Sequence, residues 1–250
     1  MKACKIIFYF FALLFSTTAF GQIPGNQRTF TYELRAGVTI GGTSPFPLPV
    51  QVRKIEKYSP NYNAMIEAQV TKWVTDKYGV TTGVRFENKG METAAFVKSY
   101  FTKIVEQGNE VKGYWTGTCV TNSKISYLTI PILFNYAFGD RWRVQTGTYI
   151  SYNMNGKFFG KVSNGYLREE TPVGQKIEFT GKQYASYDFS EHLRKMGFGA
   201  QLSTQWLAYS HFYVLGEFTW GLSDIFKKDF DSISFKMYPI YIAAGASYQF

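Results

Sequence analysis

The last stretch of the chain constrains the fold most. Across residues 238–250 apolar side chains alternate strictly with smaller or more polar ones. Ile240, Ile242, Ala244, Ala246, Tyr248 and Phe250 fall on one face of an extended strand, and Tyr241, Ala243, Gly245, Ser247 and Gln249 on the other. A period of two is incompatible with a helix, and the pattern suits a strand with lipid on one side and a packed interior on the other.

The same alternation recurs in seven further segments, which predicts strands at 30–41, 63–74, 78–88, 124–138, 142–155, 195–207 and 211–222. Each is long enough for the roughly 9–11 residues a tilted membrane strand needs. In the clearest, Leu128, Ile130, Ile132, Phe134, Tyr136 and Phe138 all share one face. The connections alternate in length: 75–77, 139–141 and 208–210 are tight, whereas 42–62, 89–123, 156–194 and 223–234 are long. Short turns at one end and long loops at the other are the pattern of a transmembrane barrel. A lipocalin-like soluble barrel would bury its apolar face and show the polar one. The expected fold class is therefore all-β, an eight-stranded antiparallel up-and-down transmembrane β-barrel with long extracellular loops. Both termini would face the periplasm.

The beginning of the chain agrees with this. Lys2 and Lys5 precede an apolar run, 6–15, and Ala19-Phe20-Gly21 supplies small residues for cleavage. A signal peptide over 1–21, a periplasmic segment over 22–29 and a barrel over 30–250 are expected, in the outer membrane of a Gram-negative bacterium. Cys4 would leave with the signal. Cys119 alone would remain, and a single cysteine makes no intramolecular disulfide. No later apolar run approaches the ~20 residues of a spanning helix, so only a closed barrel would satisfy the backbone inside a bilayer.

Several segments together resemble the PorT-like outer-membrane β-barrel proteins. They are RAGVTIGG from Arg35, TTGVRFENKGM from Thr81, SYLTIPILFNYAFG from Ser126, RWRVQTGTYISYNM from Arg141, DFSEHLRKMGFGAQLS from Asp188, FTWGLSDIF from Phe218 and the closing YIAAGASYQF. The resemblance spans most of the chain beyond residue 21 and implies an eight-stranded barrel in the outer membrane. The founding member of that group is linked to protein secretion, and many relatives are called porins. No catalytic or binding motif defines the group.

An eight-stranded barrel has room inside for its own side chains or one small ligand. Glu33, Arg35, Glu67, Arg85, Glu87, Arg143 and Glu217 fall on inward positions and include both signs. A buried ion-pair network plugging the lumen is the expected arrangement, with a narrow polar path as the alternative. No catalytic residue, cofactor or metal site is expected. His211 opens a strand at a tight turn, and His192 sits beside Asp188, Ser190 and Glu191 in a long loop, where sequence adjacency alone brings no groups onto one reacting atom. Pro45 to Pro49 would stiffen the first loop.

The chain has 27 Lys+Arg against 18 Asp+Glu, a net charge of +9. Nucleic acid is not expected as a partner. Membrane lipid and anionic lipopolysaccharide are, together with the barrel-assembly machinery through the strand ending at Phe250 and a protein partner at the outer loops. The loop aromatics Tyr100, Phe101, Tyr114, Trp115, Phe158, Phe159, Tyr166, Tyr184 and Tyr187 either contact such a partner or pack the rim. The second and third long loops are long enough to fold as strand extensions above the membrane, and the stretch from Gly156 to Glu170 reads as such a hairpin. The expected function is that of a non-enzymatic surface binding or assembly component. A small-solute porin, a secretion component and a lipid A-modifying enzyme are the alternatives.

Overall fold

The computed structural model describes residues 29–250 apart from 107, 108 and 231. The expected signal peptide, and the 22–29 segment except Thr29, lie outside the described residues. The strands are β1 (Phe30–Pro45), β2 (Val52–Pro60), β3 (Asn63–Trp73), β4 (Tyr78–Glu106), β5 (Asn109–Phe138), β6 (Trp142–Glu169), β7 (Lys176–Asp188), β8 (Met196–Tyr209), β9 (Phe212–Gly221) and β10 (Met237–Gln249). Eight of them close into a ring in the order β1, β3, β4, β5, β6, β8, β9, β10, with β10 pairing β1 from Glu33↔Gln249 to Pro45↔Met237. Every pairing is antiparallel.

The two faces of the barrel wall follow from its two surroundings. Ile40, Ile66, Val80, Phe134, Ile150, Phe198, Leu202, Phe218 and Ile242 point outward, where lipid is their only suitable solvent. Closure satisfies the strand backbone within the ring, as a bilayer requires. Most inward positions are polar or small, and Met65, Leu133, Tyr149 and Leu215 are larger side chains among them. Where β1 meets β10, Gly37 pairs Gly245, and a Cβ on Gly245 would lie 2.2 Å from the Ala36 carbonyl oxygen. The tight turn between β5 and β6 places Gly139 at φ +63°, a conformation that favours glycine. Aromatic pairs ring the turn end, among them Tyr78 with Tyr136, Trp142 with Trp206, and Tyr248 with both Phe212 and Phe250. Such a belt suits a membrane interface.

Three strands run far beyond the expected limits. β4 continues to Glu106 instead of stopping near Asn88, β5 starts at Asn109 instead of Lys124, and β6 reaches Glu169 instead of Asn155. The stretch 89–123 is thus a continuation of the β4–β5 hairpin, the strand extension that its length allowed. Gly156 to Glu170 forms no hairpin of its own: it is the upper arm of β6, flanked by β5 and β7. The free edge of β4 pairs β3 up to Glu87, then β2 over 91–97, and finally meets β7 at Val105↔Ser186. The upper halves of β4, β5, β6 and β7 therefore curl into a second, smaller enclosure on top of the barrel, here termed the cap.

The cap reverses the polarity of the wall without changing its period. On β5 the outward face carries Lys112, Thr116, Thr118, Asn122 and Lys124 in the cap, then Leu128, Ile130, Ile132 and Phe134 in the barrel. Its inward face carries Trp115, Cys119, Ile125 and Tyr127 in the cap, then Thr129 and Asn135 in the barrel. One strand thus passes from an apolar-out to an apolar-in arrangement near Ser126, as it must on leaving lipid for water. The cap interior is the main apolar cluster of the molecule and includes Ile104, Trp115, Phe158, Val162, Leu167, Phe179, Tyr187, Phe226 and Met237.

The exposed strand β2 has a free edge, and the edge is protected. Arg53, Lys54, Lys57 and Pro60 lie along it, and its register against β4 slips twice, between Val52 and Lys54 and between Ile55 and Lys57. Charge, proline and bulges each discourage pairing with another chain.

Candidate functional site: the barrel lumen and its cap

All seven charged residues read from the sequence face the lumen. Arg35 (β1), Glu67 (β3), Arg85 and Glu87 (β4) and Glu217 (β9) have side chains at most 1 % exposed, and Glu33 is 7 % exposed. The register places Arg35, Glu67 and Arg85 side by side on three neighbouring strands. Arg85 is the hub. Its guanidinium grips Glu217 with both terminal nitrogens, at 2.5 and 2.8 Å, and donates to Glu67 at 2.9 Å. Arg35 donates to the same Glu67 oxygen at 3.0 Å and to the Ser203 hydroxyl at 2.7 Å. Two-pronged charged hydrogen bonds of this kind fix orientation as well as charge.

Amides complete the carboxylates. Gln69 donates to Glu67 at 3.0 Å, Gln201 to Glu217 at 2.9 Å and Gln205 to Glu33 at 2.6 Å, and the Thr129 hydroxyl donates to Glu87 at 2.8 Å. Below this tier Arg143 turns toward the turn end of the barrel. It donates to the Tyr213 hydroxyl at 2.6 Å, lies against the Trp73 and Tyr213 rings and comes within 4.0 Å of Glu33. A cavity of about 290 Å³ opens there, bordered by Thr31, Trp73, Asp76, Asp140, Trp142 and Arg143.

One charged member of the network falls outside the residues read from the sequence. Lys89 is 4 % exposed in its side chain and lies 3.1 Å from Glu87. Its ammonium faces three aromatic rings, those of Tyr127, Tyr149 and Tyr241, at 5.2 to 5.7 Å. Lys89 sits two residues after Glu87 and four after Arg85, so the period of two that identified those residues extends to it. With Lys89 included, four cations (Arg35, Arg85, Lys89, Arg143) balance four glutamates (Glu33, Glu67, Glu87, Glu217). Charge balance matters in a confined space, because an uncompensated buried charge is costly.

Above Lys89 the interior turns apolar and is filled by the cap. Of the loop aromatics, Tyr100, Trp115, Phe158 and Tyr187 are buried in the cap core. Phe101 packs edge-on against Tyr114 outside it, and Tyr184 stays exposed. Cys119 is on β5 inside the cap, 3.5 Å from the Tyr187 hydroxyl. Burial pushes its thiol above the ordinary thiol range, which disfavours the reactive thiolate. A thiol-reactive maleimide is therefore expected to leave the folded protein unlabelled and to modify Cys119 only after denaturation. Ready labelling of the folded barrel would mean that the cap opens.

The Ser190, His192 and Asp188 group does not converge. The Asp188 carboxylate accepts from the Ser190 backbone N–H and hydroxyl, and the Ser190 hydroxyl oxygen accepts from the Phe158 backbone N–H. His192 stacks on Phe230 instead, with ring centroids 4.7 Å apart. These residues join the 3₁₀ turn Ser190–His192 to the top of β6. His211 packs edge-on against Tyr248 in the aromatic belt. Phe46, in the proline-rich first loop, folds onto Trp220 at the outer wall.

The family whose model the sequence matches agrees with this architecture. A family model described as outer membrane protein beta-barrel domain matches residues 20–227. Among solved structures, the chain is similar to Ail, the attachment invasion locus protein of Yersinia pestis, crystallised with the heparin analogue sucrose octasulfate. That match has 8% identity and a TM-score of 0.37, and covers 88% of this chain and 97% of that one. A bacterial polysaccharide outer membrane secretin matches at 8% identity and a TM-score of 0.20, over 90% and 100% of the two chains. No curated protein matches by sequence.

Proposed function

Since the chain belongs to the outer-membrane β-barrel domain family, we propose that it is a closed, non-enzymatic barrel whose working surface is the cap. In this reading the three tight turns and both termini face the periplasm, and the cap projects from the cell surface, where it binds a partner or contributes to assembly. One observation carries the reading: two obstructions lie in series along the lumen. The first is the tier around Arg85, where opposite charges occupy one another at hydrogen-bond distance. The second is the apolar core of the cap. A solute small enough to slip past one would still have to break the other.

The polar groups near the cap that could suggest hydrolysis are engaged in holding the backbone, which supports a binding role over a lipid-modifying one. The surface of the cap mixes both signs, with ion pairs between Lys57 and Glu92, Lys103 and Glu110, and Lys176 and Glu178. Such a surface suits a polar partner more than an apolar one.

Planar-bilayer recording tests the proposal. The folded protein, verified by its heat-modifiable gel mobility, is expected to give no reproducible single-channel conductance. Steady open-channel currents would overturn the plugged reading and favour the small-solute porin. Arg85 and Glu217 would then line the path.

A further inference from the structure

Lys124 on β5 and Lys157 on β6 are directly opposite each other in the β5–β6 register. Both are exposed and point away from the cap interior, since their neighbours Ile125 and Phe158 are the buried ones. Opposed residues on paired antiparallel strands lie about 5 Å apart, and like charges so placed repel. Neither lysine enters an ion pair among the described residues. Across β4 the partner of Lys124 is Gly90, which has no side chain to offer. Lys161, four residues higher on β6, differs in that its ammonium lies over the Tyr184 ring.

Glu92, diagonal to Lys124, pairs with Lys57, and Asp188, diagonal to Lys157, accepts from Ser190. The counter-charge must therefore come from outside, and the height of the pair makes it specific. On β5 the outward face is apolar up to Leu128, passes through Ser126 and reaches Lys124. On β6 it is apolar up to Met154, passes through Asn155 and reaches Lys157. The two ammonium groups therefore sit where the apolar wall ends, at the level of lipid head groups. On the neighbouring strand Lys195 immediately precedes Met196, the first outward apolar residue of β8. Two lysines on adjacent strands and a third just before the next strand of the ring thus border the same arc of the rim. Long lysine stems keep apolar contact below while the charge reaches the interface.

We propose that Lys124 and Lys157 form a clamp for a phosphate group of an outer-leaflet glycolipid, lipid A being the form such a leaflet supplies. An anion between the two ammonium groups converts a repulsive pair into two attractive ones. The inference rests on the orientation above, with the cap outside the cell.

The test uses the full barrel folded in detergent and titrated, by native mass spectrometry, with bisphosphorylated lipid A and with the same lipid after removal of both phosphates. The unmodified protein should prefer the phosphorylated form about fivefold, as two exposed ion pairs permit. Lys124→Gln with Lys157→Gln should abolish the preference. Lys54→Gln with Lys98→Gln, which removes the same charge higher on the cap, should keep it. Without lipid, the first double variant should be at least as resistant to heat as the parent, because only a repulsion is lost. Survival of the preference in that variant, or equal loss in both, overturns the clamp. Maleimide labelling of Val173→Cys on intact cells separates the two readings, because Val173 is 87% exposed at the tip of the β6–β7 hairpin. Surface labelling with no phosphate preference refutes the clamp alone. Absence of surface labelling refutes the orientation, and the clamp with it.

Discussion

Arg85→Met is expected to destabilise the barrel by about 3–5 kcal/mol, the cost typical of removing one partner from a buried ion pair. The side chain is replaced by an apolar one of similar length, so packing changes little and the loss is electrostatic. Glu217 would lose both prongs of its main partner, and Glu67 would retain only Arg35 and Gln69. Urea titration of folding into lipid vesicles, followed by gel mobility, reads the effect. Adding Glu217→Gln should recover part of the loss, because the lumen again has equal numbers of cations and anions. Arg85→Lys should also recover only part, since an ammonium restores the charge but not the fork. An Arg85→Met protein as stable as the parent would show that the network is not what holds the interior together.

How much of this was legible depended on which solvent wrote the sequence. Within the bilayer every second residue answers to lipid, so the apolar faces of β1, β3, β8, β9 and β10 could be read directly, along with the membrane portions of β4, β5 and β6. Once apolar-outward was the template, inward Glu33, Arg35, Glu67, Arg85, Glu87, Arg143 and Glu217 followed by parity. The template failed where water takes over. On upper β5, Trp115, Cys119 and Ile125 share one parity, interrupted by Gly117, Thr121 and Ser123, and they face inward. A search for outward apolar residues therefore ended the strand at the polarity switch. Lys89 lies just past that switch and so reads as loop, although it shares the parity of Arg85 and Glu87. Which carboxylate each arginine grips could not be read from one strand at all. That depends on the β3–β4 register and on β9 lying across the lumen, since Arg85 and Glu217 are 132 residues apart.

Trp115→Ala should separate the cap from the barrel. Trp115 is fully buried in the cap core and meets Phe179 edge-on, with centroids 5.4 Å apart. Removing a buried tryptophan costs about 3–5 kcal/mol where neighbours cannot collapse into the space. Here the rest of the same core is held by three other strands: Ile104 on β4, Leu167 on β6, and Phe179 and Ala185 on β7. The barrel below has its own sources of stability, the closed ring and the charged tier, which meet this core only at its base, where Lys89 lies over the Tyr127 ring and Met237 begins β10. Limited proteolysis of the folded variant should therefore cut within 91–122 or 157–188 at least tenfold faster than in the parent, while heat-modifiable mobility persists. Cys119, on the same face of β5 four residues away, should become open to maleimide at the same time. Trp115→Phe should retain most of the protection, because a ring still fills the site against Phe179. If Trp115→Ala instead abolished heat-modifiable folding altogether, cap and barrel would be one cooperative unit. The polarity switch near Ser126 would then mark a change of solvent within a single core and not a boundary between two.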